Sequence, residues 1–226
     1  MSIRKNLPKA CGRRTKVLKV DPDNPAAGAI RRAAGLIRSG GLVAFPTETV
    51  YGIAANLSDK RAVERLREVK ARDRGKPFTV HIADVGTIEE MGCVVTPGAR
   101  RLIDKFWPGP LTIILKSKKG RKTGFRMPAN RVALELIKAA GVPIVAPSAN
   151  ISGKAPPTDA EGVLKELGGM IELIVDSGPT AIGVESTVVD LAVSPPKVLR
   201  EGAIGDEEIY RVAANGKTRR YIPNNP

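Results

Sequence analysis

Short apolar runs alternate with stretches of helical spacing along most of this chain. Residues 16–20 alternate like a short strand, and Asp21-Pro22-Asp23-Asn24-Pro25 punctuates them before a helical pattern over 26–38 that Gly40-Gly41 ends. Residues 42–45 form a continuous apolar run stopped by Pro46, which predicts a buried strand. Residues 59–70 follow as an amphipathic helix with Asp59 at its N-cap. The alternation continues: strand over 78–82, helix over 97–106, strand over 111–116, helix over 129–140 with a stop at Gly141, and a short buried strand over 143–146. Helix over 159–167, strands over 171–175, 186–191 and 197–199, and a terminal helix over 206–212 complete the pattern. Strands interleaved with helices in this way predict an α/β sheet domain with helices packed on it.

No internal repeat and no long Pro/Gly/Ser-rich linker divides the 226 residues, so the expected organisation is one domain over 16–212. A basic N-terminal arm, 1–15, precedes it. A basic tail, 213–226, follows with Lys217, Arg219 and Arg220 and is expected to be poorly ordered. No apolar run approaches the roughly 18 residues that span a bilayer, and the N-terminus lacks the apolar core of a signal peptide. A cytoplasmic protein with no membrane partner is therefore expected. Cys11 and Cys93 offer neither a disulfide framework nor metal-ligand spacing, and no metal-binding residue is assigned.

Charge sharpens the picture. Thirty-seven Lys and Arg against 23 Asp and Glu give a formal net charge of +14, which points to an anionic ligand or partner: nucleotide, nucleic acid or acidic surface. An aromatic content of 4% leaves few rings on which single-stranded bases could stack.

The phosphate-loop, dinucleotide-binding, zinc-protease and nucleophile-elbow motifs are all missing, so any nucleotide must be held another way. Three polar loops stand out, two of them directly after apolar strands, where open α/β sheets place their ligands. The first is Pro46-Thr47-Glu48-Thr49-Val50-Tyr51-Gly52, which an ordinary strand-to-strand turn would also explain. The second runs from Lys70 to Pro77 and holds Lys70, Arg72, Arg74 and Lys76, more cations than a helix C-terminus requires. Arg forks and Lys point charges are how proteins cradle a triphosphate. The strand that follows carries His81, the sole histidine, which reads equally as a core residue or a base. The third is Ala146-Pro147-Ser148-Ala149-Asn150-Ile151-Ser152-Gly153-Lys154, suited to anion contact or to helix capping. Arg126 and Arg200 each follow apolar strand residues, and Gly183-Val184-Glu185-Ser186-Thr187-Val188 opens another strand.

Together these blocks resemble the YrdC-like threonylcarbamoyl-AMP synthases, from about residue 30 to 212. The match runs through Gly40 to Gly52, Lys70-x-Arg72, Phe106-Trp107-Pro108-Gly109-Pro110-Leu111-Thr112, Arg126-Met127-Pro128, Ala146 to Asn150 and Gly183 to Val188. The resemblance implies a twisted mixed sheet with flanking helices and a basic concave groove. It implies a nucleotidyltransferase that makes threonylcarbamoyl-AMP and pyrophosphate from L-threonine, bicarbonate and ATP, for the threonylcarbamoyl modification of a tRNA adenosine. It assigns Lys70, Arg72, Lys76, Ser148, Asn150 and Arg200 to ATP, with Lys70 and Arg72 as catalytic groups stabilising the transferring phosphate. It assigns Thr49, His81, Arg126 and Ser186 to threonine. Mg²⁺ is implied with ATP, carried by phosphates and water. Implied partners are tRNA-modification proteins acting downstream and a direct tRNA contact.

The chain departs from the family pattern in places. Asp73 replaces a usual proline after Lys-x-Arg, 112–126 is shorter and more basic than usual, leaving Lys122 or Thr123 as its candidate contact, and Pro156-Pro157-Thr158 lacks one hydroxyl. The C-terminal domain of the long form has no counterpart here. A different class of reading is a non-catalytic tRNA or double-stranded RNA-binding module, favoured by Arg13, Arg14, Lys118, Lys119, Arg121, Arg219 and Arg220. Carbamoyl transfer through a carbamoyl-adenylate ranks third, because the flanking modules expected with it are missing.

Overall fold

The computed structural model describes residues 14–214; the rest of the arm, with Cys11 and Arg13, and the tail from 215 lie outside the described residues. In chain order the elements are β1 (Lys16–Lys19), α1 (Ala27–Arg38), β2 (Val43–Phe45), β3 (Gly52–Asn56), α2 (Lys60–Val69), β4 (Val80–His81), α3 (Thr87–Glu90) and α4 (Pro97–Phe106). Then come β5 (Leu111–Lys116), β6 (Lys122–Arg126), α5 (Arg131–Ala140), β7 (Ile144–Val145), α6 (Ala160–Leu167), β8 (Leu173–Asp176), β9 (Thr187–Asp190), β10 (Lys197–Arg200) and α7 (Asp206–Ala213).

Local chemistry sets the helix ends. Asp59 caps α2 by accepting from the Arg61 and Ala62 amides, and Thr96, Asn130 and Asp159 cap α4, α5 and α6 in the same manner. Gly141 ends α5 at φ 61°, a left-handed conformation that glycine adopts without strain. Three elements escape the sequence pattern. β3 is Gly-Ile-Ala-Ala-Asn, buried throughout, so it shows no alternation. β6 is Lys-Thr-Gly-Phe-Arg, with one large apolar residue, because its other face is not core. α3 is a single turn, too short for a period to register.

The strands form one mixed, twisted sheet in the order β1-β8-β2-β3-β7-β4-β6-β5-β9-β10. Pairs β1/β8, β2/β8, β4/β6 and β5/β9 are parallel, and the other neighbours are antiparallel. Period-two alternation sends side chains to two cores. Ala44, Ile53, Val145, Ile174, Leu111, Ile113, Phe125 and Val189 pack with α2, α4, α6 and α7 on one face. Val43, Phe45, Ala54, Ile144, Leu173 and Val175 pack beneath α1 and α5 on the other. That second helical layer covers the half of the sheet from β1 to β7. Over β4, β6, β5, β9 and β10 the same face carries no helix, and the residues alternating with the core there line a cavity.

Candidate active site

The cavity holds about 450 Å³. Its floor is read off the strand alternation: Thr112 and Ile114 on β5, Gly124 and Arg126 on β6, and Val188 and Asp190 on β9. Its walls are the 72–79 segment, the loop at Ala146 to Ser148, and Glu185, Ser186 and Arg200. Five cations (Arg72, Lys76, Lys122, Arg126 and Arg200) face two carboxylates there, so the space is electropositive. A wider depression of about 770 Å³ beside β1 contains none of the predicted site residues.

Seven of the predicted residues line the cavity: Arg72, Lys76, His81, Arg126, Ser148, Ser186 and Arg200. Arg72 Nε and Nη2 donate to the Lys76 and Pro77 carbonyls at 3.3 and 2.9 Å, and its guanidinium stacks 5.1 Å from the Phe78 ring centre. Part of its donor fork stays free to face the cavity. Arg126 is 6% exposed and ends β6; its Nη2 donates to Thr49 Oγ1 at 2.7 Å and lies 3.0 Å from Glu48 Oε1. Burial weakens its hold on its proton, and Glu48 opposes that. Arg126 Nε, Glu48 Oε2 and His81 Nδ1 are buried with no protein hydrogen-bond partner among the described residues. Burial first, then Arg126, push the His81 pKa down to about 3, so the ring is neutral at physiological pH.

The other three predicted residues stand one layer behind. Lys70 does not reach the cavity: it is 2% exposed, and its ammonium donates to the Ser148 carbonyl and to the Asn150 carbonyl at 2.6 Å. Asn150 Nδ2 donates to the Ile151 and Lys154 carbonyls at 3.1 and 2.7 Å. Thr49 is fully buried between Thr47 Oγ1 and Arg126. Two of them hold cavity residues in place: Lys70 fixes the Ser148 loop and Thr49 aims Arg126. Thr47 behaves as the ordinary turn would have it, donating to the Val50 carbonyl at 2.6 Å in the β2–β3 connection. Asp73 turns this loop locally, its side chain accepting from the Gly75 amide at 3.1 Å.

Sequence reasoning left Glu185, Thr112, Asp190 and Gly124 without roles. Thr112 Oγ1 and Ser186 Oγ share a hydrogen bond of 2.9 Å, and Ser186 also accepts from Arg200 Nη2 at 3.2 Å. Lys122 lines the cavity through an ion pair of 2.7 Å with Asp190, whereas Thr123 is not among the lining residues. Positions 112, 114, 186, 188 and 190 could have been found by period two, once Leu111 and Val189 were placed in the core.

The profile of the Sua5/YciO/YrdC family, described as telomere recombination, matches residues 35–202. The chain belongs to this family. It is similar to the threonylcarbamoyl-AMP synthase of Pyrococcus abyssi, 48% identical over 192 residues, covering 81% of this chain and 56% of the relative. The synthase of that name from Bacillus subtilis is 47% identical over 193 residues, with the same two coverages. The chain thus spans about half the length of these curated relatives. Among solved structures, P. abyssi Sua5 complexed with L-threonine superposes with a TM-score of 0.83 at 45% identity, covering 88% of this chain and 61% of that one. The mixed sheet and its flanking helices are accordingly the Sua5/YciO/YrdC fold. Among the described residues no helix is long and apolar enough to cross a membrane.

Proposed function

We propose that this chain is an L-threonylcarbamoyladenylate synthase. One observation carries the reading: Arg72 and Lys76 from one loop, Arg126 from β6 and Arg200 from β10 face a single cavity in a family whose relatives bear that name. The threonine amine adds to bicarbonate and water leaves, giving a carbamate. A carbamate oxygen then attacks the α-phosphorus of ATP, and pyrophosphate departs. Such an adenylation needs positioning and charge stabilisation, not a covalent nucleophile.

The residues divide the work by chemistry. Arg126, anchored by Thr49 and Glu48, is placed to hold a carboxylate, and neutral His81 beside it adds polarity without charge. Arg72, Lys76 and Arg200 answer the phosphates, with Ser148 presented by the loop that Lys70 ties down. Lys70 therefore serves catalysis through position, and Arg72 is the group proposed to meet developing charge. The donor set also fits Mg²⁺ carried on phosphates: Glu185 is the cavity carboxylate that would face the ion, while Asp190 is committed to Lys122 and to the Ala192 amide. Bound there, Mg²⁺ would neutralise charge on the leaving pyrophosphate. Downstream tRNA-modification proteins would consume the product. The basic β5–β6 hairpin at the cavity rim is the surface proposed for a tRNA contact.

Pyrophosphate release tests the reading, measured with ATP and Mg²⁺ and with threonine and bicarbonate omitted in turn. Release that requires both supports adenylation of the carbamate. Release that requires neither, or none despite ATP binding, points to another nucleotide reaction or to the non-catalytic RNA-binding reading.

A further inference from the structure

Arg200 is already paired. Its Nη1 meets Glu185 Oε1 at 2.7 Å, while Nε and Nη2 donate to the Ser186 carbonyl at 3.1 and 2.9 Å. Glu185 also acts at longer range: its charge favours the protonated forms of Lys70, Arg72 and Arg126 alike. A carboxylate felt by several sequestered cations at once stands electrically where their common anion would stand.

Main chain and side chain at this position are held very differently. The Glu185 carbonyl accepts from the Ala203 amide at 3.1 Å, and a Cβ on Gly202 would come within 2.2 Å of that oxygen, so the backbone is clamped between two segments. The carboxylate is a third exposed and has Arg200 as its ion-pair partner among the described residues. A χ rotation therefore releases it without moving the chain. Asp190, the other cavity carboxylate, is held at both oxygens by Lys122 and Ala192 and belongs to the frame.

We propose that Glu185 is a built-in stand-in for a polyphosphate: it holds Arg200 until a polyphosphate displaces it, and so raises the charge an anion needs to enter. Ion pairs exposed to this degree are weak, so an anion of several charges overcomes Glu185 easily and gains Arg72, Lys76 and Arg200 together. A singly or doubly charged ion gains less for the same displacement. This rests on reading the cavity as a polyphosphate site.

The test is calorimetric titration of the full chain with tripolyphosphate, pyrophosphate and orthophosphate in EDTA. Glu185→Gln removes the charge at nearly constant shape. It should tighten orthophosphate and pyrophosphate by roughly two- to fivefold, as expected for loss of one competing ion pair, and tripolyphosphate by a similar factor. Glu201→Gln, an exposed charge next to Arg200, should change none of them. Unchanged or weaker binding by Glu185→Gln, or an equal gain in Glu201→Gln, overturns the proposal while leaving the site reading intact. Failure of the unmodified chain to bind any of the three sinks the site reading and the proposal with it. If Glu185→Gln does not fold, Glu185→Asp carries the same comparison: one methylene shorter, it loses its reach to Arg200 and should tighten orthophosphate by a smaller factor.

Discussion

Lys70 and Asn150 stand 80 residues apart in sequence and share one buried ammonium: Nζ donates to the Asn150 carbonyl at 2.6 Å and lies 3.5 Å from its Oδ1. With the Ser148 carbonyl as third acceptor, the helix α2 end and the post-β7 loop become one unit. An alanine at position 70 therefore leaves a cavity and unmet carbonyls.

Burial, then the neighbouring Arg72, draw the Lys70 pKa down to about 8, against an ordinary 10.5. Below pH 8 the folded protein must hold a buried charge, whereas the unfolded chain keeps its lysine solvated. As pH rises from about 8 to 10.5 the unfolded state binds more protons than the folded state, so stability rises across that window, by about 3 kcal/mol from this group. Lys70→Met should lose that rise and stay flat from this position. Denaturant unfolding at pH 7.5, 9 and 10.5 checks it; an equal rise in both proteins would show that the ammonium is not buried in solution.

Arg126 and Glu48 are each buried, and removing one strands the other. Arg126→Leu should cost about 3–5 kcal/mol by leaving an uncompensated carboxylate. Arg126→Lys keeps the charge but loses the fork that reaches Thr49 and the cavity together. It should fold with a modest loss of stability and lower threonine-dependent pyrophosphate release by at least tenfold. Chemical denaturation and the release assay separate the two effects. Equal turnover by Arg126→Lys would move carboxylate recognition away from Arg126.

Most of the fold was legible because its signals are local: apolar runs, Asp59 as a cap and Gly141 as a stop each act within one turn of chain. β6 was not, since Lys122, Gly124 and Arg126 face the cavity and leave Phe125 as the lone large apolar cue. At the site, charge and loop position picked out Arg72, Arg126 and Arg200. They did not separate residues that face the cavity from residues that hold those residues. Lys70 looks like a ligand in a sequence because it opens a cation-rich loop, and Thr49 because it is polar beside an apolar strand, but pairing with the Ser148 and Asn150 carbonyls and with Arg126 is a long-range event that no local pattern records.

Gly124 keeps the cavity floor low. A Cβ there would sit 3.4 Å from Thr79 Oγ1, 3.7 Å from an Ile114 carbon and 3.8 Å from a Thr112 methyl, all close to ordinary contact. Gly124→Ala should therefore fold with stability within about 1 kcal/mol of the original. Gly124→Leu projects several carbons into the space and should weaken nucleotide binding by at least tenfold with little change in melting temperature. Calorimetric ATP titration decides it; undiminished affinity in the leucine variant would place the nucleotide elsewhere.

The β5–β6 hairpin sets Lys116 directly opposite Lys122, with Lys118, Lys119 and Arg121 exposed at its tip. Like charges facing across strands repel, and Asp190 offsets only Lys122. The tip is nonetheless held in place: the Lys118 amide donates to the Gly92 carbonyl at 3.2 Å and the Val94 amide to the Lys116 carbonyl at 3.1 Å. A fixed, self-repelling cluster at the cavity rim suits a phosphate backbone, and each lysine contact should add about one to the salt slope of binding. Replacing Lys118 and Lys119 together by Glu should lower the slope for tRNA by about two and leave pyrophosphate release within about twofold, since neither residue lines the cavity. Filter binding across a range of KCl concentrations measures the slope. An unchanged slope would take tRNA off this hairpin, and a large fall in pyrophosphate release would mean that the tip shapes the cavity rather than an RNA surface.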